Sequence, residues 1–221
     1  MLLQRILLVL VSISVLATTG CQAILLQHPL IDPKDAKAHP ELYGIYCIEN
    51  DAASKVQQFV HVGKAGKPFP DGMLRFTTVS HPEPQGGKLQ VSNMIGFVEP
   101  WGNYLLLHIP LLKHETDEAP DFESWKALWD PTEIDGYYLA RLSIQKDRID
   151  IAYMNPTFIQ KAIEDKSLTG TIGPRTTPPE EPSLRITAHP NELRTFLEKH
   201  IEGQFFLTDP KMQLKLRRLK P

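Results

Sequence analysis

The sequence predicts a mainly β (α+β) protein: an antiparallel β-barrel, or a strongly curled sheet, of about eight to nine strands with two to three short helices. Three observations lead there. Short stretches of alternating apolar and polar residues, rich in β-branched and aromatic types, recur from Gly44 to Arg217. Most are joined by tight turns marked by Gly, Pro, Asn or Asp. No point along Glu41–Pro221 carries the composition shift of a domain boundary.

The first strand is predicted at Gly44–Ile48, ended by the Asn50-Asp51 turn, and the second at Gln58–Val62, ended by Gly63. Met73–Ser80 and Lys88–Val98 read as the next two, joined by the Pro- and Gly-rich stretch His81–Gly87. Pro100-Trp101-Gly102-Asn103 is a tight turn, which pairs Tyr104–Ile109 with the strand before it. Tyr137–Ile144 and Arg148–Met154 form a hairpin, and Leu184–Ala188 is a short strand. Met212–Arg217 alternates with Leu214 and Leu216 on the core side and Gln213, Lys215 and Arg217 on the other. The charges suit an edge strand, where they discourage edge-to-edge pairing.

Two helices interrupt the strands. Asn155-Pro156 is an N-cap followed by the residue favoured at the first helical position, and Phe158, Ile159, Ala162 and Ile163 share a face. The second starts at Pro190, with Leu193, Phe196, Leu197 and Ile201 in helical spacing before Gly203. A third, shorter helix is expected between Asp121 and Asp130, where Phe122, Trp125 and Trp129 fall on one stripe. That stripe is either core or the wall of an apolar ligand pocket at a barrel mouth.

Composition excludes several classes. At 221 residues, 42% hydrophobic and 23% charged, the chain is neither collagen-like, nor a charged disordered tail, nor a polytopic membrane protein. Lys+Arg 24 against Asp+Glu 26 leaves no broad positive field, so no nucleic-acid partner is expected.

The N-terminus reads as an address. Arg5 precedes an apolar run from Ile6 to Ala17, too short to span a bilayer but long enough for a signal-peptide core. Ala17-Thr18-Thr19-Gly20-Cys21 follows, and it resembles the end of a bacterial lipoprotein signal peptide. Thr19 and Gly20 take the small positions, Thr18 stands where Leu is usual, and the resemblance implies that Cys21 receives the lipid. Ordinary secretion with cleavage near Ala23 is the competing reading. Residues 1–20 are then a signal peptide, 21–40 a proline-bearing tether and 41–221 a single β-rich domain. The implied location is a bacterial membrane, reached by export, with the domain facing the periplasm. A lipidated Cys21 leaves Cys47 as a small hydrophobe in its strand; an unlipidated one leaves a bridge between them open.

Leu42-x-Gly44-x-Tyr46 is similar to a lipocalin first strand, with Tyr46 where Trp is usual. Strands and helices together look like those of small envelope lipoproteins, some of them lipocalin-like. The likeness covers one strand and implies no particular ligand.

Catalytic signatures are mostly absent. There is no Gly-x-Ser-x-Gly elbow, phosphate-binding Gly-rich loop or His-Glu-x-x-His helix. The eight histidines are dispersed, although His61 and His108 lie in strands that could bring them together. The acidic run His114–Glu118 has Pro120 nearby and no glycine, so it reads as a solvated loop rather than a calcium site. No metal or other cofactor is expected. The function expected is that of a non-catalytic, lipid-anchored envelope protein binding an apolar small molecule or an envelope component. A structural or assembly partner is the alternative, followed by an envelope hydrolase built from dispersed His, Asp and Glu. Oligomeric state is not legible.

Overall fold

A computed structural model describes residues 24–49, 58–80, 89–112, 130–175 and 182–219. In chain order its elements are β1 (Ile24–Leu26), β2 (Gly44–Ile48), β3 (Gln58–Lys64), β4 (Leu74–Ser80), β5 (Gln90–Trp101) and β6 (Tyr104–Leu112). There follow β7 (Ile134–Ile144), β8 (Arg148–Tyr153), helix α1 (Pro156–Glu164), β9 (Gly170–Arg175), β10 (Pro182–Ile186), helix α2 (Pro190–His200) and β11 (Leu214–Arg218).

Eight of these strands close a barrel. Around the ring they run β2-β3-β4-β5-β6-β7-β8-β11 and back to β2, and every neighbour is antiparallel. The barrel expected from the sequence is therefore the fold. Its interior is filled by Tyr46, Val60, Val62, Leu74, Phe76, Leu105, Leu107, Leu142, Ile149, Ile151 and Leu216, all buried. An eight-stranded ring is just wide enough for side chains to do this.

The last strand differs from expectation in its neighbours. β11 is hydrogen-bonded to both β2 and β8, so it is an internal stave and not an edge. Leu216 is 3% exposed, Leu214 is half-buried, and the strand continues to Arg218, whose pairing with Tyr46 turns it to the inner face.

Two strands escaped the sequence reading. β9 is rich in Gly and Pro, and β1 lies in the stretch expected to be a tether. β1 is parallel to β10, and β9 is antiparallel to β10, forming a three-stranded annex joined to the barrel through Leu26 and Tyr137. The tether expectation is corrected: Ile24, Leu26, Leu30 and Ala36 are all buried, because each has an apolar surface to cover. Prolines 29, 33 and 40 stiffen a packed strap rather than a free linker.

The strap, the annex, α1 and α2 form a jacket over one outer side of the barrel. Ile95, Phe97, Leu106, Leu139, Ala152 and Met154 point outward into this second core, against Ile159, Leu193 and Leu197 of the helices. Both helices start as the sequence indicates, with Asn155 Oδ1 accepting from the Phe158 amide and Pro156 or Pro190 in the first turn.

The strap's fit gives a direct test. A Cβ on Gly72 would lie 2.1 Å from the Ala36 carbonyl oxygen, so the β3–β4 turn and the strap are in backbone contact. Gly72→Ala should lower stability by about 1–3 kcal/mol through overpacking, read from the urea midpoint. A change within about 0.5 kcal/mol, the usual range for surface sites, would mean that the strap is not docked there.

Candidate functional site

The two ends of the barrel are built differently. At the base lie the turns of three hairpins, β3–β4, β5–β6 and β7–β8. Tyr46 is 1% exposed there, and its hydroxyl donates to the Leu42 carbonyl at 2.8 Å. Arg218 Nη2 donates to the same hydroxyl at 2.7 Å, to the Tyr43 carbonyl at 3.2 Å and to the Glu41 carbonyl. The guanidinium also lies 5.3 Å from the Tyr46 ring centre. Leu42, Gly44 and Tyr46, which carry the lipocalin-like resemblance, are thus parts of one plug.

At the other end, the rim, β2, β4, β6 and β8 finish while β3, β5, β7 and β11 begin. Met94, Ile109, Tyr153 and Leu214 are half-buried and pack onto the barrel core from this side. Tyr138 pairs with Ile109 and so shares the inner face. The arc formed by β3, β4 and β5 is polar but uncharged, with Gln58 across from Ser80 and Thr78 across from Ser92. Below this level the barrel is filled, so a ligand would meet the wall only near the rim.

Phe122, Trp125 and Trp129 lie outside the described residues, as does Cys21. The strands flanking the aromatic stripe, β6 and β7, are antiparallel neighbours, so the chain between them departs from and returns to the rim. Cys47 is half-buried on β2, with Sγ 3.6 Å from the Ile48 carbonyl oxygen.

A second group of polar residues lies on the outer wall beneath α2. Glu99 and His108, on adjacent strands, are 6% and 0% exposed. Arg194 of α2 pairs with Glu99 and donates to the Leu30 carbonyl at 3.0 Å, tying helix, barrel and strap together. His108 stacks on Phe97 with centroids 4.9 Å apart, and Tyr137 meets the Phe97 ring edge-on at 6.1 Å. Burial pushes the Tyr137 phenol up to about 12, with the Asp32 carboxylate adding to the effect.

This group does not assemble the hydrolytic site considered from the sequence. His108 Nε2 is 3.8 Å from Glu99 Oε2, beyond hydrogen-bond reach, and the ring has no exposure to a substrate. His61 is exposed on β3, three strands away around the ring, and does not approach His108. Among the described residues, no three His, Cys, Asp or Glu side chains converge on a point that could hold a metal ion. No helix among the described residues is long and apolar enough to cross a membrane. No protein family, curated protein or solved structure gives a significant match to the chain.

Desolvation holds the His108 pKa below its ordinary value of 6.5, against a smaller opposing pull from Glu99. The unfolded chain therefore takes up a proton near that pH while the folded one does not. Stability from a neutral His108 is complete above about 6.5 and falls as pH drops below it, by at most about 1.4 kcal/mol per pH unit. Between about pH 6.5 and about pH 5.5, the wild type should lose more stability than His108→Leu, measured by chemical denaturation. Equal slopes would show that His108 titrates in the folded protein as it does in the unfolded chain.

Proposed function

We propose that the protein is a non-catalytic, lipid-anchored envelope protein that binds an apolar or amphipathic small molecule, or a short apolar element of an envelope partner, at the barrel rim. The observation that carries this reading is the asymmetry of the barrel. The base is sealed by Tyr46 and Arg218, whereas the inner wall at the rim offers half-buried apolar and aromatic side chains facing a neutral polar arc. Ligand sites of closed barrels sit at such mouths, with a mainly apolar lining and a few polar groups that orient the ligand. Phe122, Trp125 and Trp129 belong to the same proposal, because their segment joins two strands at the rim.

Anchoring rests on the sequence: the apolar run Ile6–Ala17 followed by small residues before Cys21. Several acyl chains on one cysteine, at about 0.8 kcal/mol per buried CH₂, would hold the protein at the membrane permanently. In this reading the domain is exported and faces the periplasm.

Two measurements test the proposal. Titration with a long-chain fatty acid and with the alcohol of the same length, followed by calorimetry, should give saturable binding that Met94→Ala and Tyr138→Ala weaken about tenfold or more, the size of one lost apolar contact of ~1.4 kcal/mol or greater. Arg218→Lys at the base should leave the affinity unchanged. No saturable heat with either ligand would remove the rim as a small-molecule site. Separately, the intact mass of membrane-extracted protein should exceed that of the Cys21–Pro221 polypeptide by its acyl groups, and Cys21→Ser should release the protein. An unmodified N-terminus at another residue would end the lipoprotein reading.

A further inference from the structure

Ile24 is already part of the packed fold. It is 4% exposed, and β1 runs in register with β10 as Ile24↔Leu184, Leu25↔Arg185 and Leu26↔Ile186. The Gln27 amide extends this pairing to the Ile186 carbonyl at 2.8 Å, and Leu26, fully buried, meets Tyr137 of β7. Only Gln22 and Ala23 separate Cys21 from this strand. Three virtual bonds at about 3.6 Å each place the Cys21 Cα within about 11 Å of that of Ile24. A domain of ~200 residues has a radius of gyration of about 16 Å. The leash is shorter than the body it holds.

We propose that the annex of β1, β10 and β9 is apposed to the phospholipid headgroup surface of the membrane that carries the anchor. This inference rests on the reading of Cys21 as the lipidated residue. It follows from chain length: a leash of about 11 Å keeps its attachment point, and the surface immediately around it, at the interface. Ile172 of β9 lies in register with Leu184, and through it with Ile24, two strand spacings or about 10 Å away. It is 39% exposed on the outermost strand of the annex, an apolar side chain suited to the headgroup boundary. Arg185, in register with Leu25, is held beside Asp135 at 2.7 Å, so its charge is compensated within the protein. The opposite side of the ring is β3, four strands from β7, where His61 is exposed and faces away from the annex.

The test uses the full acylated chain in phosphatidylcholine vesicles containing a fraction of nitroxide-headgroup lipid. With Cys47 replaced by Ser, an environment-sensitive fluorophore is attached at Ile172→Cys or, as a second site on the same strand, Thr171→Cys, and compared with His61→Cys. Quenching should be several-fold stronger at the annex sites than at position 61. A flexible insert of about 20 residues between Ala23 and Ile24 should make the sites more alike, because it lengthens the leash to about 25 Å on average, beyond the domain's radius of gyration. Equal quenching of both sides on protein whose mass confirms acylation of Cys21 would overturn the apposition alone. An unacylated Cys21 would overturn the anchoring reading and this proposal together.

Discussion

One edge of β7 pairs with β6 from Leu105↔Leu142 to Leu112↔Ile134, and its other edge is divided between two partners. Ala140–Ile144 pair with β8 and close the barrel, while Tyr137 pairs with Leu26 and carries the annex. A single strand therefore serves two sheets, and each imposes its own demand on the side chains. Within the span that β8 also binds, Ala140 and Leu142 point into the barrel while Arg141 points into the jacket. Closure leaves no free edge between the eight staves, so the unpaired backbone of this sheet is displaced to the annex, whose outer strand bears Gly and Pro.

The jacket is held by charges as well as by apolar burial. Arg194 reaches from α2 down to Glu99, and Arg141 reaches from β7 up to the Ile201 carbonyl at 2.8 Å, just past the end of the same helix. These ties are seven residues apart along the chain, about 10 Å of helix, so together they set the helix's rotation and its position along its axis. Arg141 also lies between Tyr104 and Phe206, 4.5 and 5.5 Å from their ring centres, and its charge complements the negative end of the helix dipole. Removing either arginine would leave a buried partner unsatisfied, a larger penalty than the pair contributes while intact. The polar groups of the outer wall thus specify where α2 docks.

Most of this architecture is legible in the sequence, for identifiable reasons. β2 to β4 have one covered face and one that meets water, and the alternation predicts them directly. β6 reads differently: Leu105-Leu106-Leu107 is a continuous apolar run because odd positions face the barrel and even ones the jacket. A two-sided strand was the available signal that something covers the wall. β1 has three residues and no period of its own, and its apolarity follows closely on the apolar run Ile6–Ala17 in the sequence. β9 contains Gly170, Gly173 and Pro174, each of which lowers strand propensity. The pairing of Arg194 with Glu99 joins residues 95 apart, and of Arg218 with Tyr46 residues 172 apart. Separations of that size leave no local pattern to read.

The strap changes what anchoring at Cys21 would mean for the barrel. A free tether of 21–40 would let the domain tumble, with the rim sampling every direction relative to the bilayer. The observed strap instead passes through three fixed points: Leu26 on β7, the Leu30 carbonyl under Arg194, and Ala36 against Gly72 at the base. It then ends at Leu42, whose carbonyl accepts from Tyr46 in the plug. The strap is thus tied to the rest of the fold at each of these points. Restraint of the annex at a membrane would then also orient the barrel axis. Ligand capture at the rim and attachment at Cys21 would be linked geometrically, because the direction in which the rim faces would be set by the way β1 docks.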